Sequence, residues 1–545
     1  MKPVRFRGMR AVAALACAAA LVFGSDREPA SAQGKKPPRL IVIVVVDQMR
    51  ADYLEWYRKN FTAGFDRLLR QGAVYTDAAY PYLNTITCAG HSTIGTGTFP
   101  YRHGMIMNNW FDRQTGTTSY CTDDPTMTEI SYNGLTSVQG DSAKLLLAPA
   151  IGEQIMKRGG RSVTMSLKPR SAVTLTGHQA TSVVWFDDRG GWTTSTAFTK
   201  EPVSYLQSFI TANPLTSYMD KVWEKSLPPS VYQGDDDVKS EGTIAGWTRT
   251  FPHPIGVPGG KADSQYYGRW QRSPFADEYL ARMAMASVDA LKLGQGQTTD
   301  FLGVSFSVVD GVGHLFGPRS HEIQDALARL DRTLGMLLDH LDATVGKDNY
   351  VLGLSADHGV AEIPDTVGGG RVAGKSVSQA LESVLVPALG PGPHVASTVY
   401  TNIYLAEPAR ARLSKDAKLR EAALNAVRSV QGIKYALWGP DLATAAARRS
   451  TDPVKRAAAL SHHRDRSGDI IVAPMEKWIL STSVTTHGTQ YSYDQRVPLI
   501  LFGAGVKTGH YGGAATPADL MPSLSALAHV KIASTDGRAL NGAVR

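Results

Sequence analysis

Seven consecutive aliphatic residues, Leu40 to Val46, run without a break into Asp47, and nothing else in the chain limits its possible folds as much. Such a segment has no polar face to offer water, so it reads as a strand buried on both sides, as in a parallel sheet covered by helices. Similar apolar runs occur at 161–167, 301–309, 350–356 and 498–502, with helical patterns between them. The clearest helix spans about 320–344, where Ile323, Leu327, Leu330, Leu334, Leu337 and Leu341 recur at three- and four-residue steps. Near the end, Thr516-Pro517-Ala518-Asp519 supplies a cap, a first-turn proline and an acid for another helix start. Strands alternating with helices predict an α/β fold with a central, largely parallel sheet flanked by helices. Asp47, Asp310 and Asp357 each close an apolar run, which gathers three carboxylates beyond the carboxyl ends of the strands, where such sheets bind ligands.

The 545 residues suffice for one large domain with insertions, and 43% hydrophobic with 19% charged residues is the composition of a folded protein. Residues 1–32 read as a secretory signal peptide: Lys2, Arg5, Arg7 and Arg10 precede an apolar run from Ala11 to Phe23, and Ala30-Ser31-Ala32 offers the cleavage site. That run is too short to span a bilayer, and no other approaches spanning length, so a periplasmic or secreted protein free of the membrane is expected. The leader holds five basic and two acidic residues, so its removal takes the formal charge of +8 to about +5. This mild excess steers anionic substrates. The basic residues are scattered, which speaks against nucleic acid beyond nucleotides. Cys88 and Cys121 remain after cleavage, and sequence alone leaves open whether they pair. Residues 33–545 form the catalytic domain in this reading. Two stretches break its alternation, at about 190–276 and 368–480, and are expected to be insertions that build the rim of the site.

The polar residues at the strand ends carry the chemistry. Asp47, then Asp310 with His314 four residues on, then Asp357-His358-Gly359, then His487-Gly488 offer three carboxylates and three imidazoles, too many for one zinc ion and suited to two. Each motif alone has a plainer explanation as a turn or a helix cap. Together, in order and at strand ends, they point to metal. Residues 84–97 read as a loop entering a helix of small residues, with Thr87 at its amino end, where free N–H groups stabilise an anion. A metal contact would make its alkoxide available near neutral pH. Cys88 is the weaker nucleophile candidate: a cysteine phosphatase loop needs arginine six positions on, where Ile94 stands, and the sulfatase pattern fails at Gly90 and Ser92.

These residues resemble the alkaline phosphatase superfamily, in the branch joining nucleotide pyrophosphatases/phosphodiesterases to single-chain, phosphate-irrepressible alkaline phosphatases. The resemblance runs from Leu40 to near the carboxyl terminus, more weakly inside the two interrupting stretches. It implies an alkaline phosphatase-like fold and two Zn2+ ions, one held by Asp47, Thr87, Asp357 and His358, the other by Asp310, His314 and His487. It makes Asn108, after His103-Gly104, the contact to a phosphoryl oxygen, with Asn109 the second choice. It also makes Lys168 and Arg170 the pair that grips the dianion of a monoester, a pair that diesterase relatives generally lack.

The implied activity is hydrolysis of small phosphate monoesters through a phosphothreonine at Thr87, by a monomer. A phosphodiesterase or nucleotide pyrophosphatase on the same fold is the alternative. A non-catalytic phosphate or metal binder has no use for Thr87, and a phosphoglycerate mutase is at odds with export. Mn or Co also suits an Asp/His donor set.

Overall fold

The computed structural model describes residues 37–257 and 259–544. The leader therefore lies outside the described residues. Leu40–Val46 is a strand whose seven residues are all fully buried. Its side chains alternate between two apolar cores: Leu40, Val42, Val44 and Val46 join one, and Ile41, Ile43 and Val45 the other. Both faces of the sheet are thus covered, which is why the run has no polar positions. Burying each such side chain contributes roughly 1.5–3 kcal/mol.

Among the described residues the main sheet has 11 strands. Its centre is parallel, in the order Tyr350–Ser355, Leu40–Val46, Asp300–Phe306, Ser162–Ser166 and Ser182–Asp187. Antiparallel strands flank it, Leu499–Gly503 on one side and Gly191–Ser195 on the other. Leu40 pairs with both Asp300 and Tyr350, and Val45 with both Ser305 and Ser355, so the three central strands end level. Two residues further on, that register brings Asp47 opposite Asp357.

Asp310 differs from expectation. The strand stops at Phe306, and Val308 and Val309 open the helix Val308–Phe316, which carries Asp310 in its first turn. A short apolar run cannot distinguish a strand's end from a helix's start. The helical geometry nevertheless puts Asp310 and His314, four residues apart, on one face. The long helix is His321–Thr344, capped by Ser320, whose hydroxyl accepts from the Ile323 N–H. Thr516 and Asp519 form a reciprocal capping box, leading through the 3-10 turn Pro517–Asp519 into the helix Leu520–Leu527.

Within 368–480, Val395–Val399, Asn402–Leu405, Ile433–Trp438 and Ile470–Pro474 make a separate antiparallel sheet with its own apolar core. Val395–Val399 and Asn402–Leu405 are the two strands of a hairpin, folded back at Tyr400 and Thr401. Among the described residues no helix is long and apolar enough to cross a membrane.

Candidate active site

The helix Thr87–Thr96 enters the site from an extended Ile86, with Thr87 as its first residue and every residue of the helix buried. Its small side chains have a steric reason, since a Cβ at Gly90 would overlap the Asp357 carbonyl oxygen. The glycine allows the helix to rest on the loop that follows the strand Tyr350–Ser355, and this sets Thr87 beside Asp357 and His358. Thr87 Oγ1 lies 3.3 Å from His358 Nε2.

Asp47, Asp310, Asp357, His314, His358 and His487 come together as the sequence predicts. His358 Nε2 is 3.6 Å from Asp47 Oδ1 and 3.3 Å from Asp357 Oδ2. His314 Nε2 is 3.2 Å, and His487 Nε2 3.9 Å, from Asp310 Oδ1. The His358 and His487 rings stack with centroids 3.4 Å apart.

Each of the three histidines turns its Nδ1 toward a backbone carbonyl: His358 to Gly359 at 2.9 Å, His314 to Thr485 at 3.0 Å and His487 to Thr85 at 2.8 Å. A carbonyl can only accept, so Nδ1 carries the proton in each ring. The Nε2 atoms are left to face the carboxylates, an arrangement typical of imidazoles that ligate a metal. Burial holds His358 and His487 below the ordinary imidazole range, favouring their neutral forms. His314 is the exception: burial works against its charge, but Asp310 raises it.

Charge also fits a bound cation. Asp47, Asp310 and Asp357 are buried, and Asp47 Oδ1 and Asp357 Oδ2 have no hydrogen-bond partner. Burial, then the charges of Asp310 and Asp357, push the Asp47 carboxyl up. Burial also disfavours charge on Asp310 and Asp357, but Lys168 and His314 hold the first below the carboxylate range, and His358 and His91 the second. The Lys168 ammonium bridges Asp47 Oδ2 at 2.6 Å and Asp310 Oδ2 at 2.5 Å. One ammonium does not offset three buried carboxylates, and buried charge left uncompensated is costly. Divalent cations among these donors would supply the difference.

Asn108 is oriented by its neighbours. Its Oδ1 accepts from the Cys88 N–H at 2.9 Å, so its Nδ2 donor is the group left for the site. Cys88 and Cys121 form a disulfide, and the Cys121 N–H donates to the Asn108 carbonyl at 2.9 Å, so the cross-link and these two bonds fix Asn108 relative to Thr87. Lys168 immediately precedes the helix Pro169–Thr176, which carries Arg170 in its first turn. Lys168, Arg170, Asp310 and His314 are among the residues lining a cavity of about 860 Å3.

Two residues that sequence reasoning passed over support the cluster. His91, one turn after Thr87, has its Nδ1 3.0 Å from the Thr87 carbonyl and 3.1 Å from Asp357 Oδ2, and its Nε2 2.8 Å from Ser305 Oγ. Its donor atoms lie close enough to Asp47 and Asp357 to suggest a ligand, but its nitrogens are turned to the Thr87 carbonyl and to Ser305 Oγ, so His91 braces the start of the Thr87 helix beside Asp357 instead. Its four-residue spacing from Thr87 was the available signal. Gln48 sits at φ 67°, a left-handed conformation uncommon for a side-chain-bearing residue, its N–H on Asp357 Oδ1 at 3.0 Å and its Nε2 on Asp310 Oδ1 at 2.8 Å. Nothing in the sequence signals it.

The profile of the type I phosphodiesterase / nucleotide pyrophosphatase family matches residues 41–495. Alkaline phosphatase PafA of Elizabethkingia meningoseptica is 30% identical over 513 residues, covering 91% of this chain and 92% of that one. Alkaline phosphatase PhoV of Synechococcus elongatus is 32% identical over 510 residues, covering 91% and 90%. The crystal structure of wild-type alkaline phosphatase PafA superposes with a TM-score of 0.85 at 29% identity, covering 93% of this chain and 99% of the other.

Proposed function

The chain belongs to the type I phosphodiesterase / nucleotide pyrophosphatase family, and from that premise we propose that it is an alkaline phosphatase that hydrolyses phosphate monoesters through a phosphothreonine at Thr87. Two relatives named alkaline phosphatases, each aligned over about nine-tenths of both chains, favour the monoesterase activity within the family. The observation that carries the site assignment is the gathering of three imidazole Nε2 atoms and three buried carboxylates in one cluster, with His358 Nε2 3.3 Å from the Thr87 hydroxyl.

We assign two zinc ions to these donors, one to Asp47, Thr87, Asp357 and His358 and the other to Asp310, His314 and His487. Bound there, the pair would act as Lewis acids that lower the pKa of the Thr87 hydroxyl and of water and offset charge on the phosphoryl group. Thr87 Oγ attacks phosphorus in line, the ester oxygen departs, and phosphate is left on Thr87. Water then attacks from the vacated side, breaking the Thr87 Oγ–P bond and releasing inorganic phosphate. The Asn108 Nδ2 donates to a phosphoryl oxygen, while Lys168 and Arg170 stabilise the dianion. Thr87's place at a helix amino end adds free N–H groups favourable to that charge. We further assign the enzyme to the periplasm or exterior, as a monomer acting on small phosphate esters, with 190–276 and 368–480 as rim-building insertions.

The family's description favours a second reading, phosphodiester or pyrophosphate cleavage. Kinetics of purified protein on p-nitrophenyl phosphate and on bis-p-nitrophenyl phosphate separate the two. We expect kcat/KM for the monoester to exceed that for the diester, and the reverse order overturns the monoesterase reading.

A further inference from the structure

We propose that Arg272 recognises a second anionic group on the leaving side of the substrate, so that the enzyme favours phosphate monoesters that also carry a carboxylate or another phosphate. The inference rests on the phosphomonoesterase reading and names the substrate class it takes.

At about 860 Å3 the cavity is of the size that holds a whole small-molecule ligand, far larger than a phosphoryl group. Its lining includes Ile244, Gln271 and Arg272 as well as Lys168, Arg170, Asp310 and His314. An ester whose phosphate is held by Lys168 and Arg170 therefore has room for its leaving group in the same cavity, within which Arg272 also lies.

Most charged groups along the cavity are already engaged. Arg189 is bonded to Asp187, Glu129 and the Thr136 carbonyl. Asp188 accepts from Gln271 Nε2 at 3.1 Å, and Asp141 from the Thr122 hydroxyl at 2.5 Å. Lys168 holds Asp47 and Asp310. Arg272 is different: its side chain makes one hydrogen bond, from Nη1 to the Gly268 carbonyl at 2.9 Å, and no ion pair among the described residues. Its Nε–H and Nη2–H donors have no partner among those residues.

The Arg272 stem is also held beside the phosphoryl end. A Cβ at Gly311, the residue after Asp310, would stand 3.1 Å from Arg272 Cγ, a crowded contact, so the arginine stem lies close against the helix Val308–Phe316. A half-buried guanidinium with donors to spare, anchored one residue from Asp310, is suited to bidentate capture of a carboxylate or phosphate.

The test uses two matched substrate pairs, 3-phosphoglycerate against glycerol 3-phosphate and fructose 1,6-bisphosphate against fructose 6-phosphate. For each pair the readout is the ratio of kcat/KM, compared between wild type and Arg272→Ala. We expect the ratio to fall roughly tenfold in at least one pair, mainly through KM, since hydrogen bonds to charged groups carry effects of that order. A fall in the first pair alone identifies a carboxylate, and a fall in the second alone a phosphate. If Arg272→Ala does not fold, Arg272→Lys keeps the charge but loses the fork, and should lower the ratio severalfold. Ratios unchanged in both pairs overturn the proposal. Failure of wild type to hydrolyse p-nitrophenyl phosphate would instead overturn the phosphomonoesterase reading beneath it.

Discussion

A threonine hydroxyl is a poor nucleophile unless its surroundings take its proton and stabilise the anion left behind. Thr87 has His358 Nε2 at 3.3 Å, a helix amino end and three carboxylates able to hold cations beside it. Thr87→Ala should therefore abolish turnover even in samples whose metal content shows that the remaining carboxylate and imidazole donors still bind metal. Asn108 acts through a single donor, and Asn108→Ala should lower kcat about 100-fold, the usual cost of one such contact. Lys168 and Arg170 face the extra charge that distinguishes a monoester from a diester. Lys168→Ala and Arg170→Ala should accordingly lower monoester kcat/KM more than diester kcat/KM, and equal losses would count against their assigned role. At this scale the sequence was most legible where chemistry restricts residue type: six acids and imidazoles converge as their spacing predicts. His91 and Gln48 were illegible because they act through hydrogen bonds to other site residues, and a buried polar residue has many ways to find such partners.

The strand Leu40–Val46 and the helix Thr87–Thr96 were evident from composition, but the element boundaries near Asp310 were not. There two valines continue an apolar run into a helix. The cysteines also needed three dimensions, since sequence does not give a Cα separation, here 6.7 Å across the bridge. Removing that disulfide, with a sequence separation of 33, should lower stability by up to about 4 kcal/mol in the chain-entropy view, measurable by denaturant unfolding of Cys88→Ala/Cys121→Ala. Where 234–256 packs on His321–Thr344, His253 Nε2 meets Glu322 Oε1 at 2.8 Å. Burial pushes the Glu322 carboxyl up to about 8 and lowers His253 to about 4. Folded Glu322 keeps a proton that the unfolded chain loses near 4.5, so its contribution is full below that pH and lost as pH rises through about 8. His253 has the opposite sign: its contribution is present above 6.5 and lost as pH falls through about 4. Glu322→Gln should thus flatten the decline in melting temperature between pH 5 and pH 9, a range of roughly four units about the Glu322 shift. An unchanged decline would contradict the assignment.

For the molecule as a whole, alternating runs foretold the sheet and the edge beyond which Asp47 and Asp357 lie. They gave less warning of what the chain builds within 368–480, where a separate four-stranded sheet with its own core depends on pairings far apart in sequence. The central claim is that residues drawn from five places along the chain form a pair of cation sites beside one threonine. The most direct test is elemental analysis of purified, active protein, with p-nitrophenyl phosphate turnover followed before and after chelation and after zinc is restored. The account predicts two zinc ions per chain, activity lost on chelation, and activity regained with zinc. Fewer than two metal ions per active chain, or turnover unaffected by their removal, would contradict it.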